Sequence, residues 1–349
     1  MSRHADFDSQ WIVRPARLSD LSALHALAQQ SLVGVTSLPD DKKRLEQRLR
    51  DSEASFSSDV DYPGEEDYLF VLEHSATGEL LGCAGIQANC GFSQPFYSLR
   101  HDVFVHASPA LGIKHKVHAL SLCHDLGGNS LLKGFHVVAP LREGPAAQLI
   151  SCARLLFIAT QPRRFASRLV AEMVGCADEQ GNSPFWDALG QHFFGMPYAQ
   201  AEALGASGDR TYLAELLPHY PIYVSLLPEQ AQGVMGQVHP GAKRPYDILL
   251  SEGFESERYI DVYDAGPTLE ANTAHVRSVV DSQVVALRIT REVVAWNAPA
   301  WLVSNQRLAG YRAMIIRSNW LAGRPLTITA DQAAALQLNE GDSVRLVRL

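Results

Sequence analysis

The segment from residue 130 to 160 constrains the fold most. An apolar run, Ser130–Val138, leads through Arg142-Glu143-Gly144-Pro145-Ala146-Ala147 into a stretch with Leu149, Ala153, Leu156 and Phe157 at helical spacing. That is a strand, a short loop and a helix from about Pro145 to Thr160. Small residues at Gly144, Ala146 and Ala147 leave the helix N-terminus open, where backbone N–H groups and the helix dipole favour an anion. Pro145 suits the first helical position but removes one N–H donor. An ordinary strand-to-helix connection reads the same way, so the loop alone does not establish a phosphate site.

The surrounding pattern is mixed α/β. Trp11–Pro15 is a short strand. Ser19 or Asp20 caps a helix carrying Leu21, Leu24, Leu27 and Ala28, and a second, charge-rich helix fits Asp40–Ser52. Tyr68–Glu73 and Leu80–Ile86 form a hairpin about the turn Ala76–Glu79. Further strands fit Phe92–Ala107 and Leu169–Gly175. Later, Ile248–Ser251 runs as helix into Gly253-Phe254 and a strand, Tyr259–Val262. This opening order, with the helix, Gly-Phe, strand close, resembles GNAT-like N-acyltransferases: an α+β mixed sheet flanked by helices. From about Ser282 to Leu349 short β-runs dominate. The organisation expected is an acyl-CoA N-acyltransferase-like domain over 1–280 and a small β-rich module over 281–349.

Composition narrows the function classes. The chain has 349 residues with a formal net charge of -8, which argues against nucleic acid as a partner because phosphate contacts need clustered Lys and Arg. Cys83, Cys90, Cys123, Cys152 and Cys176 are odd in number and show no paired spacing. They read as reduced thiols of a cytoplasmic protein. The opening stretch Met1–Gln10 is polar and acidic, and no apolar run reaches about 18 residues, so neither a signal peptide nor a membrane span is expected. His115 and His118 stand three apart, with His101, His106 and His124 nearby. No Cys or acidic partner sits at ligand spacing, and the expectation is no metal.

Acyl transfer from a CoA thioester needs donors for the pyrophosphate, a donor for the thioester oxyanion and a path for the amine's proton. Arg142, Gly144, Ala146 and Ala147 are the candidates for the first. Phe135, in Lys133–Val138, lines the acyl-CoA groove if that strand splays from its neighbour as in GNAT-like proteins. Two loop histidines flanked by Pro or Gly, His219 and His239, are candidates for proton transfer, and the residues do not choose between them. Glu172, Asp178, Glu179 and Glu215 are the carboxylates able to grip a guanidinium.

Strings along the chain then carry a resemblance. Val35-Thr36-Ser37-Leu38-Pro39, Val105-His106-Ala107-Ser108, Val170-Ala171-Glu172-Met173, Asp178-Glu179-Gln180-Gly181, Ser183-Pro184-Phe185-Trp186, Ala214-Glu215-Leu216, His219-Tyr220-Pro221-Ile222-Tyr223, Gly236-Gln237-Val238-His239-Pro240 and Gly266-Pro267-Thr268-Leu269 resemble the arginine N-succinyltransferases in order and spacing. The likeness covers residues 10 to 280. It is strongest to the alpha type of the two-subunit pseudomonad enzymes, which also carry a carboxy-terminal extension. The resemblance implies succinyl transfer from succinyl-CoA to the α-amine of L-arginine, with ornithine an alternative acceptor, as the entry step of arginine degradation. It implies His239 as proton donor, with His219 the weaker candidate, and Phe135 at the succinyl-CoA position, where the family more often has leucine. Glu172 and Tyr223 are taken as contacts to the amino-acid substrate. No permanently bound cofactor is implied. The expected partners are a paralogous beta subunit, further copies of the chain, or both. A second reading, a non-catalytic regulatory or scaffolding subunit, draws on the proline-bearing loop and the β-rich tail.

Overall fold

The computed structural model describes residues 10–32, 34–35, 37–177, 181–206, 210–292 and 297–349. Strand β1 (Trp11–Pro15) precedes helices α1 (Leu21–Ala28) and α2 (Lys42–Ser57). Two hairpins follow, β2 (Asp67–His74) with β3 (Leu80–Gln87), and β4 (Ser98–Ser108) with β5 (Ile113–Cys123). Next come β6 (Ser130–Val137), α3 (Pro145–Thr160) and β7 (Arg168–Glu172). Short helices fill the next stretch: α4 (Pro184–Ala188), α5 (Gly190–Phe194), α6 (Tyr198–Gly205) and α7 (Thr211–Leu216). After them come β8 (Ile222–Tyr223), α8 (Glu229–Val234), α9 (Lys243–Ser251), β9 (Glu255–Ile260), β10 (Pro267–Asn272) and α10 (Arg277–Val280). The tail holds β11 (Gln283–Thr290), β12 (Ala300–Ser304), β13 (Ala313–Arg317), β14 (Leu326–Thr329), α11 (Ala330–Ala335) and β15 (Ser343–Arg348).

The described strands join in one mixed sheet, in the order β14-β11-β15-β12-β13-β1-β2-β3-β6-β7-β10-β9-β4-β5-β8. The α+β architecture expected from the sequence is present. The tail is β-rich, as read, and it continues the main sheet: β13 pairs with β1 through Val13 and Ala313. Tyr311, fully buried, donates from Oη to Ala153 O at 2.8 Å and packs edge-on against Phe70 and Phe157. Burying such an aromatic stabilises the docking by about 3–5 kcal/mol, judged from Phe-to-Ala changes in cores.

Helix α3 is the axis of the core. Twelve of its residues, Ala146–Ala147 and Leu149–Ile158, are buried, as befits a helix apolar nearly all round. Helix α2 is capped by Asp41, whose carboxylate accepts from Lys43 N and Arg44 N, and runs further than its charge pattern suggested. Asp20 precedes α1 without capping it; its carboxylate instead takes Arg17 N at 2.8 Å and Arg14 at 2.7 Å.

Three expectations change. The strand expected from Phe92 starts at Ser98, since Pro95 cannot donate to a ladder. The strand expected to reach Gly175 ends at Glu172. Strand β5 is new, and it recasts the histidines. Three residues apart on a helix would share a face, whereas on a strand His115 and His118 point to opposite faces. His115 pairs with His106 across the hairpin, and His118 Nδ1 meets His101 Nε2 at 2.9 Å.

Two features open the sheet at its centre. Strands β6 and β7 run parallel and pair only at Ser130–Leu169 and Leu131–Val170, after which they separate. On the other side of β6, Cys83 faces His136 and Gly85 faces Lys133, so Gly134 and Phe135 together oppose Ala84. This is a β-bulge, which leaves a backbone group out of the ladder. Gly134 takes φ +62°, and a Cβ there would stand 3.0 Å from the Arg48 guanidinium, so glycine suits the position on both counts.

Candidate active site

The gap between β6 and β7 is a cavity of about 420 Å³. It is lined along one strand by Leu131–Val137 and along the other by Ala171–Val174. Phe92–Phe96, before β4, close one side, and Gly241 and Ala242 another. Phe135 and Glu172 therefore line one cavity.

The cationic wall comes from β6, the loop after it and α3. Arg142 lines the cavity; Gly144, Ala146 and Ala147 are not among its lining residues. They form the start of α3, where Gly144 is the N-cap without a side-chain cap and Pro145 occupies the first turn. The N–H groups of Ala146 and Ala147 are thus the donors a helix N-terminus leaves over. His136 lines the cavity, is 5% exposed, and its Nε2 is buried without a partner among the described residues. Burial, then the charge of Arg142, pushes it down to about 4, so it is neutral at physiological pH.

His239 is not itself a lining residue. Its backbone N–H donates to Val174 O at 2.8 Å, and its Nδ1 accepts from Gly241 N at 3.0 Å; both partners line the cavity. An acceptor Nδ1 places the proton of the neutral ring on Nε2. Burial first, and Arg142 second, hold this imidazole below its ordinary pKa. His239 is therefore a neutral ring carrying an Nε2–H.

The acidic wall was missed except for Glu172. Glu202 on α6, and Asp261 and Asp264 after β9, line the same cavity as Glu172, as does Arg210, whose charge faces Glu172, Asp261 and Glu202. Oxygens of Glu202, Asp261 and Asp264 lie within 4.8 Å of one another. Burial, then Asp261, pushes Glu172 up to about 8 and Asp264 up to about 7, and burial likewise raises Glu202. Asp264 is fixed by Gly175 N and Gly266 N, each at 2.8 Å. Gly266 permits this, since a Cβ there would stand 2.0 Å from Met173 O. Glu172 Oε1 and Glu202 Oε2 are buried without hydrogen-bond partners among the described residues. Buried acceptors left unmet are costly, so the wall is built to receive donors.

Other candidates lie elsewhere. His219 and Tyr223 are exposed and are not cavity-lining residues; Tyr223 pairs with Ala119 of β5 and packs near Phe104 and His106. Glu215 is exposed on α7. Asp178 and Glu179 fall outside the described residues. The five cysteines are free thiols; burial pushes Cys83 and Cys90 up to about 12.

Comparison with known proteins settles the lineage. A family model described as "Arginine N-succinyltransferase beta subunit" matches residues 11–278. A second model, for the carboxy-terminal domain of the same beta-type proteins, matches 285–348. The chain is 52% identical to "Arginine N-succinyltransferase subunit alpha" of Pseudomonas aeruginosa, over 96% of its own length and 99% of that protein. The chain belongs to the arginine N-succinyltransferase family. It is 38% identical to "Arginine N-succinyltransferase subunit beta" of the same organism, over 97% of this chain and 98% of that one. The alpha-type likeness read from the sequence therefore holds, and it extends through the tail. A solved structure, "The structure of arginine/ornithine succinyltransferase subunit AI from Pseudomonas aeruginosa", superposes with TM-score 0.89 at 50% identity, covering 97% of this chain and 98% of that one. Membership in the arginine N-succinyltransferase family gives the two walls a chemical meaning. An anionic acyl donor and a cationic acceptor ask for opposite charge in one cavity.

Proposed function

We propose that this chain transfers succinyl from succinyl-CoA to the α-amine of L-arginine, the first step of arginine breakdown by succinyl transfer, with ornithine as a second acceptor. The single observation carrying this is the cavity between the separating strands β6 and β7, bulged at Gly134, with Lys133, Arg142 and Arg154 on one side and Glu172, Glu202, Asp261 and Asp264, with Arg210 among them, on the other. The arrangement is GNAT-like. In this reading pantetheine runs along β6, and the pyrophosphate meets Arg142 and the N–H groups of Ala146 and Ala147 behind Gly144. Succinyl-CoA is a co-substrate, and the chemistry calls for no resident cofactor.

Transfer is direct. The α-amine attacks the thioester carbonyl carbon; a C–N bond forms and the C–S bond breaks. N–H groups at the bulge around Phe135 hold the oxyanion. The Nε2–H of His239 hydrogen-bonds the departing sulfur, and the proton lost by the attacking amine ends on that thiolate, releasing free CoA. Its lowered pKa keeps the ring neutral, so it supplies that hydrogen bond without a second positive charge beside Arg142. Glu172, with Glu202, Asp261 and Asp264, holds the acceptor's cationic end. A cysteine acyl-enzyme fits poorly, because Cys83 and Cys90 stay protonated far above neutral pH.

The division into an acyl-transfer domain over 1–280 and a β-rich module over 281–349 is kept in this reading, with the module docked through Tyr311. No described helix is long and apolar enough to cross a membrane, and a cytoplasmic location matches the free thiols. The relatives named alpha and beta subunits support a paralogous partner, and homo-oligomers are compatible with it. One assay tests the whole: the purified chain, alone and with a beta-type partner, with succinyl-CoA and either arginine or ornithine. Thiol release with succinylarginine formation by the chain alone is the expected result. Binding without turnover, alone and with the partner, would return the chain to a scaffolding role.

A further inference from the structure

Arg154 is the one charged side chain between Pro145 and Thr160. It is 2% exposed on the core helix α3, and it lines the cavity. Its three hydrogen bonds go to neutral acceptors and are long: Nη1 to Gly85 O at 3.3 Å, Nη2 to Ser151 Oγ at 3.3 Å, and Nε to Ser151 O at 3.5 Å. No carboxylate pairs with it among the described residues. Lys133, by contrast, pairs with Asp67 at 2.8 Å, and Arg210 feels Glu172, Asp261 and Glu202. The thiols nearest Arg154, Cys152 and Cys83, are pushed up by burial and stay neutral, so they supply no counter-charge.

A buried guanidinium without an anion is rare because desolvation of the charge goes uncompensated. Burial lowers Arg154 only to about 10, so it remains a cation at physiological pH. Its guanidinium carbon lies 5.6 Å from the centre of the Phe135 ring. Phe135 follows Gly134 in the bulge where the thioester carbonyl is held. In a succinyl group two methylenes separate that carbonyl from the free carboxylate. A cation one side chain away from the bulge stands where the carboxylate falls.

We infer that Arg154 receives the distal carboxylate of the acyl donor and so selects dicarboxylic over monocarboxylic acyl-CoA. The planar guanidinium, set over the Phe135 ring, offers the paired N–H geometry a carboxylate takes. The inference rests on the acyl-transfer reading of this cavity, and it also gives the aromatic ring at position 135 a function, as the shelf that keeps the guanidinium flat.

The test compares succinyl-CoA with butyryl-CoA, which replaces the carboxylate by a methyl group, at saturating arginine. Wild-type chain should prefer succinyl-CoA in kcat/KM. Arg154→Met should lose that preference by about 10²-fold, the scale of a charged hydrogen-bonded contact, with the butyryl-CoA rate unchanged and arginine KM unchanged. Arg154→Lys should recover part of it. A purely structural arginine would lower both donors together and leave their ratio fixed, and that result overturns the inference. So does a rise in arginine KM with the ratio intact, which would assign Arg154 to the acceptor's carboxylate. If Arg154→Met does not fold, the ratio in Arg154→Lys decides by the same criterion. A wild-type chain that turns over succinyl-CoA without preferring it to butyryl-CoA sinks the inference alone; a chain inactive with every acyl-CoA sinks the underlying reading instead.

Discussion

The two walls of the cavity differ in how they are made. The cationic wall comes from one continuous stretch, with Lys133 on β6, Arg142 in the loop and Arg154 on α3. The acidic wall is assembled from β7, α6 and the turn after β9. The first is rigid by local connection; the second exists only when three separate segments pack. This difference predicts that changes on the cationic side alter chemistry, while changes on the acidic side alter acceptor binding and its pH dependence.

The largest effect is expected at His239, the residue proposed to act on the sulfur. His239→Ala should lower kcat by about 10²–10⁴-fold with the thermal midpoint and both KM values near wild type. Retained activity in that variant removes His239 from the handling of the departing sulfur. Next is Glu172→Gln. Above pH 8, where Glu172 is ionised, arginine KM should rise by about 10-fold or more, the scale of one lost charged hydrogen bond, while succinyl-CoA KM stays put. An equal change in both KM values would merge the two walls into one.

The pH profile sharpens the contrast. Glu172 and Asp264 titrate near about 8 and about 7, above ordinary carboxylates, so they ionise as pH rises through that window. Only the ionised forms hold a cation, so kcat/KM for arginine should climb from pH 6 to 8 beyond what the amine's own titration gives. Glu172→Gln should lose the upper part of the climb. Stability runs the other way. Carboxylic acids with raised native pKa values favour the fold below their unfolded pKa and lose that contribution as pH rises through the native one. The free chain should therefore lower its Tm between about pH 5 and 8, and arginine should raise Tm more at pH 8 than at pH 6. A flat Tm in that range would contradict the buried, raised carboxylates.

Smaller effects follow at the bulge. Gly134→Ala puts a Cβ at φ +62° against Arg48, a strain of about 1–2 kcal/mol. With the bulge proposed to hold the carbonyl, it should slow turnover more than it weakens binding of CoA itself.

The same contrast explains what the sequence disclosed. The strand–loop–helix of 130–160 was legible because strand period, turn chemistry and helix period follow one another without interruption, and it carries Phe135 and Arg142. Arg154 was also open to reading, as a lone charge on an apolar helix. Glu202, Asp261 and Asp264 carried no signal, since nothing in the spacing of distant carboxylates says that they converge. Strand β5 was missed because most of Ile113–His118 is exposed, so no apolar alternation marks it. His219 and Tyr223 read as site residues from an unusual string, yet that string builds the edge strand β8 beside β5. His239 was level with His219 on chemistry alone; in the fold, His239 bonds to Val174 and Gly241 at the cavity, and His219 is exposed away from it.

The most direct measurement is a structure of the chain with CoA and N2-succinylarginine bound. Pantetheine should lie between β6 and β7, with its sulfur within hydrogen-bond reach of His239 Nε2. The succinyl carboxylate should sit on Arg154 and the guanidinium against Glu172 and Glu202. Coenzyme A bound away from the β6–β7 gap, or a product with its charged ends exchanged between the two walls, would contradict this arrangement.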